Sequence, residues 1–157
     1  MKNVFFYPTD MGGIGIEENG AAITKLYFSR EDALLTAVLN ETELLKRAGT
    51  QLQEYFAGKR KSFDLPLAPE GTPFQQKVWK ALLEIPYGET RSYGDIARNI
   101  GQEKASRAVG MANNKNPIAI VIPCHRVVGS NGKLVGYAGG LDIKEQLLNL
   151  EKQSVNG

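Results

Sequence analysis

The run Pro66-Leu67-Ala68-Pro69-Glu70-Gly71 is the feature that most limits what this chain can fold into. Each proline fixes φ and removes a backbone donor, so neither a helix interior nor a central strand can pass through it. With the charged Lys59-Arg60-Lys61 just before it, the run reads as a linker that divides the 157 residues near positions 68–72. This gives two domains, 1–70 and 71–157. Each is long enough for one small core and little more, which excludes a large multidomain enzyme.

The first piece opens with strand-like segments at residues 3–7, 13–17 and 21–28. Glu18-Asn19-Gly20 supplies an Asn-Gly hairpin signal, since both central residues tolerate positive φ. From Asn40 or Glu41 to Ala57 the residues Leu44, Leu45, Ala48, Leu52, Tyr55 and Phe56 recur at helical spacing, and Gly58 follows as a stop. In the second piece Thr72-Pro73-Phe74-Gln75 is a capping box with proline at the first helical position. Its buried stripe is Phe74, Val78, Trp79, Leu82 and Ile85, and Pro86-Tyr87-Gly88 ends it. Ser92-Tyr93-Gly94-Asp95 opens a second helix that stops at Gly101, and a third runs from about Glu103 or Lys104 to Asn113 or Asn114. Short helices across a glycine turn predict a helix-turn-helix. Residues 118–122 and 127–128 read as strands, Ser130-Asn131-Gly132 as a turn that forms a wing, and Asp142–Lys152 as a closing helix with Ile143, Leu147, Leu148 and Leu150 inward.

Composition narrows the function classes. Apolar residues at 42% and charged residues at 23% are globular values, which exclude a disordered tail or a fibrous repeat. No apolar run reaches membrane-spanning length and no signal-peptide core follows Met1, so a soluble intracellular protein with no membrane partner is expected. One cysteine, Cys124, forbids an internal disulfide, and one histidine, His125, cannot complete a four-ligand zinc site with it. The net charge of +2 conceals an asymmetry. Residues 1–70 hold 8 Lys/Arg against 10 Asp/Glu, whereas 71–157 hold 11 against 7. Between Arg98 and Lys133, six cations face one acid, Glu103. That density suits a polyanion-binding face or an ordinary solvated surface; a recognisable scaffold favours the former.

A lone cysteine is usually inert core filling, but the neighbours of Cys124 favour a thiolate. Pro123 ends the preceding run, and His125 and Arg126 bring a proton acceptor and a cation. Adjacent residues of an extended chain project to opposite sides, so a direct Cys124–His125 contact requires a sharp backbone turn, and a water relay fits better. Such a relay wants a carboxylate to hold the imidazole. Glu151, in the last turn of the closing helix, is either that group or a frayed surface acid.

The run from Asn116 to Val128, Asn-Pro-Ile-Ala-Ile-Val-Ile-Pro-Cys-His-Arg-Val-Val, resembles the O6-alkylguanine-DNA alkyltransferase family. Tyr137-Ala138-Gly139-Gly140-Leu141 and Lys144-Glu145 downstream, and Ser92-Tyr93 and Ser106-Arg107-Ala108-Val109-Gly110 upstream, extend the resemblance over residues 71–152. The first 70 residues are similar only in pattern. The resemblance implies an α+β chain: a ribonuclease-H-like α/β domain without its catalytic function, then an α-rich winged-helix-type domain that binds DNA and holds the nucleophile.

It also implies stoichiometric, cofactor-free repair of double-stranded DNA by a monomer, in the cytoplasm or in the nucleus of a eukaryote. Cys124 takes the alkyl group from O6 of guanine, and more weakly from O4 of thymine; His125 accepts its proton through water and Glu151 orients the imidazole. A thioether offers water no carbonyl to attack, so one molecule repairs one lesion. Tyr93 lends its phenol proton to guanine N3, and Asn116 binds the segment between the recognition helix and the nucleophile. Their bland alternatives are a core tyrosine and an ordinary turn residue. The nucleotide must leave the stack, with Arg107 entering as placeholder or merely touching phosphate. Ala108, Gly110 and Ala112 let the helix approach the minor groove, and Ser92 and Arg126 join the DNA-binding set. Tyr137, Ala138, Gly139, Val127 and Lys144 shape the substrate pocket. Ala138 departs from relatives that carry serine there, and the cysteines by which some relatives bind zinc are absent, so no metal is expected. A lesion-binding protein lacking an acceptor, and a winged-helix regulator with an incidental cysteine, are the competing classes; Cys124 argues against the first.

Overall fold

The computed structural model describes residues 2–129 and 140–156, the last two without their side chains. The chain forms two compact units, Met1–Glu70 and Gly71–Gly157.

In the first unit β1 (Asn3–Thr9) and β2 (Gly12–Glu18) pair antiparallel from Asn3↔Glu18 to Thr9↔Gly12. Strand β3 (Ile23–Tyr27) pairs antiparallel with β2, and β4 (Val38–Leu39) lies parallel to β1, giving the order β3-β2-β1-β4. Helix α1 is Arg30–Leu34 and α2 is Glu43–Phe56. Thr42 caps α2 by accepting from the Leu45 N–H at 3.3 Å, and Leu45, Ala48, Leu52 and Tyr55 are its buried stripe. Gly49 permits the close approach of α2 to β1, since a Cβ there would lie 2.5 Å from the Tyr7 ring. The expected β2–β3 hairpin forms, with the Asn19-Gly20 pair in its connection. Only Gly20 adopts positive φ, at 98°, while the Asn19 side chain accepts from the Ala21 and Ala22 N–H groups. The ladder also shifts register between Glu17 and Glu18, so the loop is longer than that pair. Glu17 is buried, with Thr24 and Tyr27 hydroxyls donating to it at 2.7 and 3.0 Å.

The second unit holds α3 (Pro73–Leu82), β5 (Arg91–Ser92), α4 (Tyr93–Asn99), α5 (Ser106–Asn114), a 3₁₀ turn at Cys124–Arg126, β6 (Val127–Val128) and α6 (Leu141–Asn156). Both capping boxes are formed. Thr72 and Gln75 exchange side-chain and backbone bonds at 3.1 and 2.9 Å, and Ser92 and Asp95 do so at 3.0 and 2.9 Å. Gly101, at φ 76°, ends α4 and begins the turn into α5. Val78, Trp79, Leu82, Ile96, Val109, Ala112, Ile118 and Leu147 build the core, and the Trp79 indole N–H donates to the Ala112 carbonyl at 2.8 Å.

Two expectations are corrected here. Residues 118–122 are not a strand but a folded turn, in which the Ile122 N–H returns to the Ile118 carbonyl at 2.9 Å. Ile120 sits at φ 74°, a strained position for a β-branched residue, and burial at 1% exposure holds it there. The second concerns α6. Its fully buried stripe is Lys144, Leu147 and Glu151, while Ile143, Leu148 and Leu150 are only half-buried. Spacing of i, i+3 and i+7 defines one helix face, and here that face carries two charges. The expected wing and the Tyr137–Gly139 loop lie outside the described residues.

Candidate active site

Cys124 begins the 3₁₀ turn and is 2% exposed. Asn116 shapes the approach to it. The Asn116 side-chain oxygen accepts from the Ile118 N–H at 3.0 Å and its amide donates to the Ile122 carbonyl at 2.8 Å. One buried side chain thus closes both ends of the turn that Ile120 strains. On the other side β6 pairs parallel with β5, with Arg91 opposite Val127 and Ser92 opposite Val128. Because Ser92 is also the cap of α4, this ladder fixes the nucleophile turn against the helix whose first residue is Tyr93. Val127, expected to line a pocket, is fully buried and contributes through this pairing.

Behind the turn lies a buried charge network. The His125 Nε2 and the Glu151 Oε2 are 2.6 Å apart, and both residues are at most 1% exposed. A carboxylate only accepts, so Nε2 carries the proton and Nδ1 is left as an acceptor. Burial pushes the His125 pKa down, against the pull of Glu151, and keeps the ring neutral. Burial by itself would raise the Glu151 carboxyl, but His125 and Arg126 outweigh it and hold the group at about 2. Arg126 grips both carboxylate oxygens, Nε to Oε1 at 2.8 Å and Nη2 to Oε2 at 3.0 Å. Its Nη1 donates to the Ile85 carbonyl at 2.7 Å, and its guanidinium lies 5.6 Å from the Tyr87 ring centroid. The Gly88 N–H adds a donor to Glu151 at 3.2 Å.

Arg126 therefore corrects an expectation. Expected among the DNA-binding residues, it is 8% exposed and its donors are committed to Glu151 and Ile85. No phosphate can reach a guanidinium so enclosed.

Tyr93 and Lys144 flank the sulfur electrostatically. Burial raises the Tyr93 phenol pKa, and the nearby Cys124 charge raises it further. Burial lowers the Lys144 ammonium pKa, and the Cys124 charge opposes that. Lys144 is fully buried. Lys144, expected in the substrate pocket, falls on the Leu147–Glu151 face of α6, and its burial there is set by packing that apolar periodicity does not encode.

Helix α5 separates its small residues. Arg107 and Ala108 are exposed and Gly110 is half-buried, a Cβ there falling 3.8 Å from the Tyr93 ring. Ala112, expected on the DNA-facing side, is instead buried beneath Trp79, a second correction that follows from the 3.6-residue period. Met111, which no apolar stripe or motif marks out, is 69% exposed on the face that holds Arg107 and Ala108. Ser92 is half-buried and spends its oxygen on the Asp95 N–H. Tyr137, Ala138 and Gly139 lie outside the described residues. Among the described residues no group of three or more His, Cys, Asp or Glu converges as metal ligands, and no helix is long and apolar enough to cross a membrane.

Fold and site together define a two-unit protein with one enclosed thiol in front of a buried His–Glu–Arg network, beside a helix-turn-helix. Residues 73–153 match the family model "6-O-methylguanine DNA methyltransferase, DNA binding domain", and residues 5–69 match "6-O-methylguanine DNA methyltransferase, ribonuclease-like domain". The chain belongs to the 6-O-methylguanine DNA methyltransferase family. It is 71% identical over 109 residues to a methylated-DNA–protein-cysteine methyltransferase of Methanosarcina acetivorans, covering 69% of this chain and 70% of that one. It is 52% identical over 153 residues, 93% of each chain, to the constitutive methylated-DNA–protein-cysteine methyltransferase of Bacillus subtilis. The crystal structure of Mycobacterium tuberculosis OGT in complex with DNA aligns over 97% of this chain and 94% of that one, with 46% identity and a TM-score of 0.91.

Proposed function

We propose that this protein is a methylated-DNA–protein-cysteine methyltransferase that repairs O6-alkylguanine in duplex DNA by moving the alkyl group irreversibly to Cys124. The observation that carries the reading is the buried His125–Glu151 pair, Nε2 to Oε2 at 2.6 Å, in the same 3₁₀ turn as Cys124, which leaves the His125 Nδ1 as an acceptor. The thiol proton passes through a water to Nδ1, and Glu151 stabilises the imidazolium that results. The thiolate attacks the alkyl carbon in line; the S–C bond forms, the C–O6 bond breaks, and its electron pair stays on guanine. Tyr93, whose phenol burial keeps protonated, donates to N3 as that charge builds, and the proton lost by the thiol finally balances the base.

DNA enters over the exposed face of α5, where Arg107 replaces the flipped nucleotide and Ala108 allows close approach to the minor groove. Asn116 holds the turn that delivers Cys124, and Tyr137, Ala138, Gly139 and Lys144 form the pocket. In this reading the first unit is ribonuclease-H-like and the second winged-helix-type. The protein acts as a cytoplasmic monomer, with weaker activity on O4-alkylthymine. The relatives named for this transfer and the solved complex with DNA support the reading.

The test is intact mass after mixing with a duplex that carries one O6-methylguanine. A gain of one methylene unit per protein, mapped to the Cys124 peptide and absent in Cys124→Ala, is expected. A folded protein that gains nothing, or gains it elsewhere, overturns the assignment. A winged-helix regulator with an incidental cysteine would bind an operator sequence and keep its affinity in Cys124→Ala.

A further inference from the structure

Helix α5 reaches the nucleophile through Asn113, one turn beyond Met111's neighbour Val109 and next to the buried Ala112. Asn113 is 1% exposed. Its amide Nδ2 donates to the backbone carbonyl of Cys124 at 3.3 Å. A carbonyl only accepts, so this bond fixes which end of the side chain is nitrogen and leaves Oδ1 as the free end. That oxygen is buried with no hydrogen-bond partner. The His125 Nδ1 is the second such acceptor in this region, and it belongs to the residue that follows Cys124. A buried acceptor without a donor costs on the order of 1–3 kcal/mol, and this site carries a pair of them around one peptide unit.

We propose that Asn113 is a positioning residue for the thiol-to-histidine proton relay, its Oδ1 and the His125 Nδ1 being the paired acceptors for one buried water that also accepts the Cys124 S–H. A water has two protons to donate and lone pairs to accept with, so this arrangement satisfies its donors with Asn113 and His125 and its acceptor side with the thiol. The proton balance is closed. The water gives one proton to Nδ1 as it takes the thiol proton, leaving thiolate and imidazolium, while its other proton stays on the water oxygen and is donated to the Asn113 Oδ1. Asn113 contributes what a two-point relay lacks, a third point that fixes the orientation of the water. It also joins the last full turn of α5 to the nucleophile, so a shift of α5 alters both the Cys124 carbonyl and the relay.

The inference adds to the transfer reaction above but is tested without DNA. Cys124 is the one cysteine and His125 the one histidine, so each gives an unmixed signal. The pH profile of Cys124 alkylation by iodoacetamide is compared in the natural chain, Asn113→Leu and Asn113→Ala by intact mass. The inflection is expected to move up by about one pH unit, so that alkylation at neutral pH slows roughly tenfold while the high-pH plateau is kept. The His125 Nδ1 nitrogen-15 signal should move toward that of an unbonded ring nitrogen. Asn113→Ala guards against the larger Leu failing to fold, with the far-ultraviolet spectrum as the check. A profile that is unchanged, or scaled equally at all pH values, in the folded variant overturns the role. If the profile shifts while the natural chain takes no methyl from DNA, the transfer reading fails and the relay assignment stands.

Discussion

Arg126 and Glu151 bind each other so completely that losing either leaves a buried charge with few partners. Removing one member of such a pair costs about 3–5 kcal/mol, far more than the pair contributes against an apolar replacement. Arg126→Ala should lower the stability of the second unit by that amount in urea unfolding, and Arg126→Lys should recover little, because an ammonium cannot span two carboxylate oxygens and the Ile85 carbonyl. Were Arg126 a phosphate contact, the same variants would leave stability untouched and reduce the salt dependence of DNA binding instead. The Pro-Cys-His-Arg string identified the chemistry of each residue in it, but not that the arginine points inward. That direction depends on Glu151, 25 residues away in sequence, and no local pattern encodes such a pairing.

Helix α5 was legible as a helix, with its faces less so. Its apolar positions are sparse and its small residues fit either side, so only packing against Trp79 turns Ala112 inward and leaves Ala108 outside. Ala108→Leu should keep the melting temperature and slow repair of duplex DNA at least tenfold. Ala112→Leu should overpack the core and cost about 1–3 kcal/mol, read by thermal unfolding. Arg107→Ala should slow transfer from duplex DNA far more than from the free base O6-benzylguanine, since only the duplex requires flipping; equal losses on both would remove the placeholder role. In the first unit, Gly49→Ala would drive a methyl into the Tyr7 ring and destabilise by about 1–3 kcal/mol, measured by urea titration. Helix α1 and β4 leave no periodic signal in the sequence because five and two residues are too few to establish one.

Acid acts on the molecule unevenly. His125 takes a proton in the unfolded chain near its ordinary 6.5, but burial depresses its folded value, so stability is complete above that pH and falls as pH drops below it. Glu151 acts in the same direction, its ordinary 4.5 falling to about 2 on folding, which makes about 3 kcal/mol disappear between those values. Both groups lie in residues 71–157, as does Trp79, the sole tryptophan, at 2% exposure. Tryptophan fluorescence should therefore report a urea midpoint for the second unit that declines from about pH 6.5 downward. Glu151→Gln should flatten the lower part of that decline, and a midpoint constant from pH 7 to 4 would contradict the buried network.

Local chemistry was enough to set where the chain divides, the starts of α3 and α4, and that Cys124 is the one thiol. Proline geometry, capping boxes and the cysteine count are local or compositional, and nothing distant can change them. Which side chains turn inward around Cys124 is settled only in the folded chain. The strained turn at Ile120 and the inward Lys144–Glu151 face of α6 are held by burial, and the Asn113 bond to the Cys124 carbonyl joins α5 to the 3₁₀ turn. Such contacts are chosen by burial, which makes an unpaired polar group costly enough to select one arrangement among many that local propensity would accept.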